Sequence, residues 1–308
     1  MLPRPPPAGA GSGYRAAVTS ELPRAAERTA ALLDLLDLAG GDGPDSFVAK
    51  STRHTSSRVF GGQVLAQALL AAGRTVPEGR RPHSLHGYFL RPGDLDQPIE
   101  LAVERLRDGR SFSARRVQAV QDGSPILSMI ASFELPADGL DHSDVMPEAP
   151  EPTSLPSLAD VYGTIDNDAA RHWAFEQPLD LRFVSPSIFV TAQDPPGADS
   201  VVWWRLPAEI AADPLLHAAV ATFASDYGIL EPVLRAHGRS WLASGLSIAS
   251  IDHALWFHRP FRADKWLLTV THSPSAAASR GLNTARMFSS DGRLVISVAQ
   301  EGLYRERR

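Results

Sequence analysis

The sequence contains no cysteine. That excludes disulfides, thiolate metal ligands, a cysteine nucleophile and thiol redox sensing. Lysine is almost missing too: of 30 basic residues only Lys50 and Lys265 are lysines, and the rest are arginines. There is no positive excess either. The formal net charge is −5, which disfavours non-specific nucleic-acid binding, since that relies on basic surfaces. No apolar run approaches the roughly 18 residues a membrane span needs. Met1 to Ala17 has no apolar stretch of the signal-peptide kind, and Tyr304 to Arg308 carries no peroxisomal or retention address. These absences point to a cytoplasmic protein. No Gly-x-Ser-x-Gly string supports a nucleophile elbow. Gly9-Ala10-Gly11-Ser12-Gly13 lies in a tail and not after a strand, which argues against dinucleotide binding.

What is present suffices for a real core. The 308 residues are 44% hydrophobic and 21% charged, near the globular average, so wholesale disorder is excluded. The length suits two domains or one large one. Residues 1–18 read as a flexible tail. Residues 24–39 carry Leu32, Leu33, Leu35, Leu36 and Leu38 and end at Gly40-Gly41, a helix with a glycine stop. Residues 137–179 are acidic and rich in proline, with no sustained period, and read as a linker over the surface. The division expected is 1–41 for tail and helix, 42–136 for a first unit, 137–179 for the linker, and 180–306 for a second unit.

The two units resemble each other. Phe89 and Arg91 recur as Phe257 and Arg259 at an offset of 168 residues; Arg110 and Arg116 recur as Arg280 and Arg286 at 170; Asp122-Gly123 recurs as Asp291-Gly292 at 169. Each Asp-Gly sits between strand-like runs, a strong hairpin signal. Landmarks this regular argue for a tandem duplication. Each unit holds one helix, with stripes Leu65, Ala68, Leu69, Ala72 and Leu216, Ala219, Val220, Phe223. Four strands follow each, near 83–90, 99–106, 111–121 and 125–134, and near 245–257, 265–272, 279–289 and 293–303. The fold class is therefore α+β, with one helix packed on a curved antiparallel sheet in each unit. Edge strands of the two units could pair into one sheet.

Three polar residues break the pattern in the second unit. Gln300 shares a strand face with Leu294, Ile296 and Val298, and Ser250 shares one with Leu246 and Ile248. Asp226 stands where the helix stripe calls for an apolar residue. A buried carboxylate needs donors, and Ser250 and Gln300 can supply them. Strand alternation turns His253 away from Ser250 and Asp252. His83, His86, His253 and His258 lack metal-ligand context and read as hydrogen-bonded structural histidines. The run Arg107 to Arg116 reads either as a hairpin with solvated arginines or as an anion-recognition cluster.

Several strings resemble the acyl-CoA thioesterase II (TesB-type) family: Val59-Phe60-Gly61-Gly62-Gln63-Val64, Tyr88-Phe89-Leu90-Arg91-Pro92-Gly93-Asp94, Asp108-Gly109-Arg110-Ser111-Phe112-Ser113-Ala114-Arg115-Arg116, Ile248-Ala249-Ser250-Ile251-Asp252-His253, Trp256-Phe257-His258-Arg259-Pro260 and Gln300-Glu301-Gly302. The resemblance spans about residues 30 to 306. It implies a double hotdog, two tandem units each with a helix wrapped by an antiparallel sheet. It implies hydrolysis of fatty acyl-CoA to fatty acid and coenzyme A by direct water attack, with Asp226, Ser250 and Gln300 as the catalytic trio. No metal and no cofactor are implied, since coenzyme A is part of substrate and product. Gly61, Gly62 and Gln63 open the first helix and are candidate oxyanion donors or simply a tight helix–sheet contact. Arg110, Arg115 and Arg116 are candidate contacts for the coenzyme A phosphates. Partners expected are the acyl-CoA substrate and further copies of the chain, as a dimer or tetramer, with no nucleic acid and no membrane insertion. Two alternatives stand beside this. One is a hotdog enoyl-CoA hydratase, for which Asp213-Pro214-Leu215-Leu216-His217 is a near miss. The other is a non-catalytic acyl-CoA binding or sensing module.

Overall fold

A computed structural model describes residues 25–51, 58–243 and 245–306. The tail expected over residues 1–18 lies outside the described residues. The first helix, α1, covers Ala25–Leu36 and buries Leu32, Leu35 and Leu36. Short strands β1 (Leu38–Gly40) and β2 (Ser46–Ala49) follow, then α2 (Gly61–Gly73) and strands β3 (Arg81–Phe89), β4 (Ile99–Asp108), β5 (Phe112–Gln121) and β6 (Ser124–Glu134). The second half holds α3 (Leu158–Tyr162), α4 (Asp168–Phe175), β7 (Asp180–Phe183), β8 (Asp199–Arg205), α5 (Pro214–Ser225) and α6 (Glu231–Ala236). Strands β9 (Leu246–Ser250), β10 (Asp252–Phe257), β11 (Leu267–Ala277), β12 (Arg280–Ser289) and β13 (Leu294–Glu306) complete it. No described helix is long and apolar enough to cross a membrane.

The strands form one antiparallel sheet in the order β1-β2-β4-β5-β6-β3-β10-β13-β12-β11-β8-β7, with β9 also on β13. The order reads the same from both ends once each strand is matched to its duplicate: β3 with β10, β6 with β13, β5 with β12, β4 with β11. The seam is β3 against β10, where Leu85 faces Leu255 and His86 faces Ala254. This is the double hotdog that the resemblance implied, and it agrees with the tandem duplication. The small outer strands β1, β2, β7 and β8 were not legible, because three- to seven-residue strands leave no period to read.

The sheet wraps α2 and α5, which lie antiparallel against each other. Gly62 at the start of α2 meets Asp226 at the end of α5, and a side chain at Gly73, where α2 ends, would strike Leu215 at the start of α5. Both helices are almost wholly buried, hence their apolar character on all sides. Leu65, Leu69, Val220 and Phe223 join Leu85, Leu127, Leu255 and Ile296 in one core. A second cluster, Trp203, Leu268, Phe288 and Leu294, lies on the opposite face of the sheet. Leu294 is there, and not beside Ile296 as alternation predicted, because the β12–β13 register shifts between Met287 and Phe288. Residues 141–155 run over that face: Trp203 Nε1 donates to the Pro150 carbonyl and Arg286 to Asp144. The segment 137–179 also carries α3 and α4, helices too short for a hydropathy period to reveal.

Candidate active site

Asp226 caps the C-terminus of α5. A carboxylate is disfavoured there by the helix dipole, so something must offset it. The N-terminus of α2 does. That helix has no side-chain cap of its own, and the Gly62 N–H donates to Asp226 Oδ2 at 2.8 Å. The first unit thus holds the carboxylate of the second. The approach needs glycine: a Cβ on Gly62 would lie 2.6 Å from the Phe223 carbonyl oxygen and 2.9 Å from Asp226 Cβ. Phe60, Phe223 and Tyr227 pack ring against ring beside this contact, with centroids 4.7–5.5 Å apart.

Gln300 lies fully buried on β13. Its Nε2 donates to Asp226 Oδ1 at 3.1 Å and to Ser250 Oγ at 2.7 Å. The three residues singled out from the pattern therefore meet. A carboxylate only accepts, so the amide nitrogen must face Asp226 and the amide oxygen must face away. That oxygen meets His253 Nδ1, which must carry the proton. His253 Nε2 in turn meets Ser225 Oγ at 2.8 Å. Burial holds His253 below the ordinary imidazole value, against the pull of Asp226, in keeping with a neutral ring.

His253 is thus part of the site, contrary to the alternation argument. The reason is a bulge. Ser250 faces Gly302 and Ala254 faces Ala299, so the β9–β10 run carries one residue more than the stretch of β13 it pairs with. The extra residue shifts the phase and brings His253 onto the face of Ser250 and Gln300. Asp252 instead accepts from the Glu301 N–H at 2.8 Å. The signal available in the sequence was a histidine three residues beyond a candidate serine, which only a bulge makes meaningful.

Asp226 and Ser250 open into a cavity of about 500 Å³ lined also by Gly61, Phe60, Val64, Phe89, Leu127 and Ile248, with Arg58, Arg91 and Pro92. This size is typical of a small-molecule site. The 226–228 turn and Trp241 separate it from a smaller cavity of about 90 Å³ among Tyr162, Trp173, Phe183 and Trp204.

Other candidates are placed differently. Gln63 turns its side chain to the Lys50 carbonyl, and its N–H bonds Phe60 O, so it offers the cavity no donor. Arg115 is fully buried. It donates to Thr75 Oγ1 and the Thr75 carbonyl and grips Asp108 with two bonds of 2.8 and 3.0 Å. It secures the chain at the end of α2 and cannot reach a phosphate. Arg116 pairs with Glu104 on the solvent side of β5, and Arg110 sits in the β4–β5 hairpin; neither lines the cavity. The Asp213…His217 string is a helix start: Asp213 Oδ1 caps the Leu215 N–H at 2.9 Å, and His217 Nδ1 accepts from Ala263. It assembles no acid–base pair.

Comparison with known proteins identifies the class. Residues 50–134 match the family model of the acyl-CoA thioesterase N-terminal domain, and residues 144–304 match that of the C-terminal domain. The chain belongs to the acyl-CoA thioesterase family. It is 37% identical over 252 residues to acyl-CoA thioesterase 2 of Haemophilus influenzae, covering 80% of this chain and 88% of that one. It is 37% identical over 317 residues to human acyl-coenzyme A thioesterase 8, covering 98% and 96%. Among solved structures, the acyl-CoA thioesterase II TesB2 of Mycobacterium marinum is 38% identical, with a TM-score of 0.73 over 90% of this chain and 98% of that one. A hot dog fold protein of Alicyclobacillus acidocaldarius, 20% identical, shares the fold with a TM-score of 0.72 over 90% and 99% of the chains.

Proposed function

We propose that the protein is an acyl-CoA thioesterase that hydrolyses fatty acyl-CoA by direct attack of water. The observation that carries this reading is the shared bond network of Asp226, Gln300 and Ser250 at the wall of one cavity. Water bound between Asp226 and Ser250 gives a proton to the Asp226 carboxylate as its oxygen bonds to the thioester carbonyl carbon. A general base of this kind contributes about 10²–10⁴-fold. The tetrahedral oxyanion sits near the Gly61 end of α2, where the helix dipole favours negative charge. Collapse breaks the C–S bond, and the coenzyme A sulfur leaves with the proton from Asp226. Both Gln300 Nε2 hydrogens are spent on Asp226 and Ser250, so Gln300 sets their geometry and Ser250 Oγ–H remains to orient the water.

In this reading residues 42–136 supply the α2 terminus, residues 180–306 supply the trio, and 137–179 link them. The acyl chain lies along Phe60, Val64, Phe89 and Leu127 between helix and sheet. The sequence of steps consumes only water and calls on no cofactor. Tyr88 (59% exposed), Ile130 (49%), Phe112 and Trp256 put apolar surface on the outer face around the seam, which supports a homo-oligomer. A cytoplasmic enzyme acting on a dissolved acyl-CoA, with neither nucleic acid nor membrane insertion, fits the composition; fractionation of cells tests that placement. The enzymatic reading is tested by thiol release from a panel of acyl-CoAs. Equal amounts of thiol and acid are expected. Binding without thiol release, or hydration of an enoyl-CoA without thiol release, would overturn it.

A further inference from the structure

Arg91 and Arg259 hold the same position in the two halves. Each follows the last residues of a seam strand. The Leu90 N–H bonds Ile126 O and the His258 N–H bonds Val295 O, both at 2.8 Å. Each arginine then points Nη1 at the carbonyl of the matching hairpin: Arg91 at Pro125 O and Arg259 at Leu294 O, both at 2.9 Å. Each also lines a cavity beside a matched phenylalanine and proline. Arg91 does so with Phe89 and Pro92 around Asp226, and Arg259 with Phe257 and Pro260 around a space of about 200 Å³.

They differ in what meets the other arm of the guanidinium. Arg259 Nη2 donates to the Asp141 carboxylate and, at 2.9 Å, to the His142 carbonyl, both from the segment that crosses the outer face. Arg91 is exposed, and among the described residues its Nη2 and Nε take no partner. The chain itself therefore displays an oxyanion seated on this guanidinium at the cavity that lacks the trio.

We propose that Arg91 is the anion-binding residue of the catalytic cavity and takes a phosphate of coenzyme A where its twin takes the Asp141 carboxylate. The proposal rests on the thioesterase reading. A guanidinium pinned by one nitrogen presents the rest of its fork in a fixed plane, suited to phosphate oxygens. Apart from Asp226 and Ser250 the inner walls of the cavity are largely apolar, so the phosphates of the substrate belong at the arginine rim. This assignment replaces Arg110, Arg115 and Arg116, none of which reaches the cavity. A distal carboxylate on the acyl group has the same chemistry as a phosphate, so the test separates the two.

The test measures kcat and KM of the wild type, Arg91→Met, Arg91→Lys and Arg259→Met on hexanoyl-CoA, hexanoyl-pantetheine and adipyl-pantetheine. Calorimetric binding of coenzyme A is measured alongside. Arg91→Met is expected to raise KM for hexanoyl-CoA about tenfold, roughly one lost charge-assisted bond, with kcat within about twofold. Its KM for hexanoyl-pantetheine stays unchanged, and coenzyme A binding weakens by the same factor. Arg91→Lys falls between, and Arg259→Met matches the wild type. An equal KM change with hexanoyl-CoA and hexanoyl-pantetheine, no change in coenzyme A binding, or a loss confined to adipyl-pantetheine overturns the proposal. Wild type that releases no thiol from any substrate contradicts the thioesterase reading instead, while the calorimetry still decides Arg91. An unchanged unfolding midpoint in Arg91→Met separates lost binding from lost fold.

Discussion

A carboxylate accepts hydrogen bonds and cannot donate them, and that fact orients the chain Asp226–Gln300–His253–Ser225. The amide nitrogen must face Asp226, so its oxygen must face His253, and the imidazole must carry its proton on Nδ1. In the proposed reaction His253 is then a positioning residue, acting through Gln300. His253→Asn is expected to lower kcat by up to about 10²-fold, the scale on which small misplacements act, with KM for acyl-CoA little changed. Steady-state kinetics check this; a rise in KM at constant kcat would contradict it. Arg115 makes the opposite prediction. Arg115→Met is expected to leave KM alone and to cost about 2–3 kcal/mol of stability by removing bonds from a charged donor, read by denaturant unfolding. The trio was legible because Asp226, Ser250 and Gln300 each break an apolar pattern. His253 was not, because one extra residue opposite β13 inverts the phase that alternation assumes.

At the scale of elements, the site exists because two helix ends meet. The uncapped start of α2 and the carboxylate closing α5 each lack a local partner, and each supplies the other's. Gly62→Ala is expected to force the two ends apart, since its Cβ would stand inside van der Waals contact with Phe223 O and Asp226 Cβ. Turnover should fall at least about tenfold, and a crystal structure of the variant should show the Gly62–Asp226 bond lengthened. Unaltered turnover would mean that this bond does not hold the base. Helix α2, helix α5 and the seven strands of nine or more residues were readable from stripes and Asp-Gly hairpins, while the single strand expected over 245–257 is two, β9 and β10. The segment from Asp226 to Gly245, with α6 and Trp241, was not. The helix starts Gly61 and Pro214 lie closer in sequence than the 168-residue strand offset, so this stretch has no full counterpart in the first half.

At the scale of the molecule, the palindromic sheet makes one body of two units, and its titration follows from what that body buries. His217, His253 and His258 are held below the ordinary imidazole value of 6.5, in each case chiefly by burial. As pH falls through about 6.5 the unfolded chain takes up protons that the folded chain refuses, so stability falls. The unfolding midpoint is expected to drop from about pH 7.5 to about pH 5.5, and a midpoint that rises over that range would contradict the burial argument. The apolar outer face predicts that Ile130→Glu lowers the assembly state seen by light scattering. In the proposed reaction both halves serve a single water directed by Asp226, and the rate of thiol release by Asp226→Asn tests that most directly. A folded variant slowed by about 10²–10⁴-fold is the predicted result; a folded variant turning over acyl-CoA at close to the wild-type rate would contradict it.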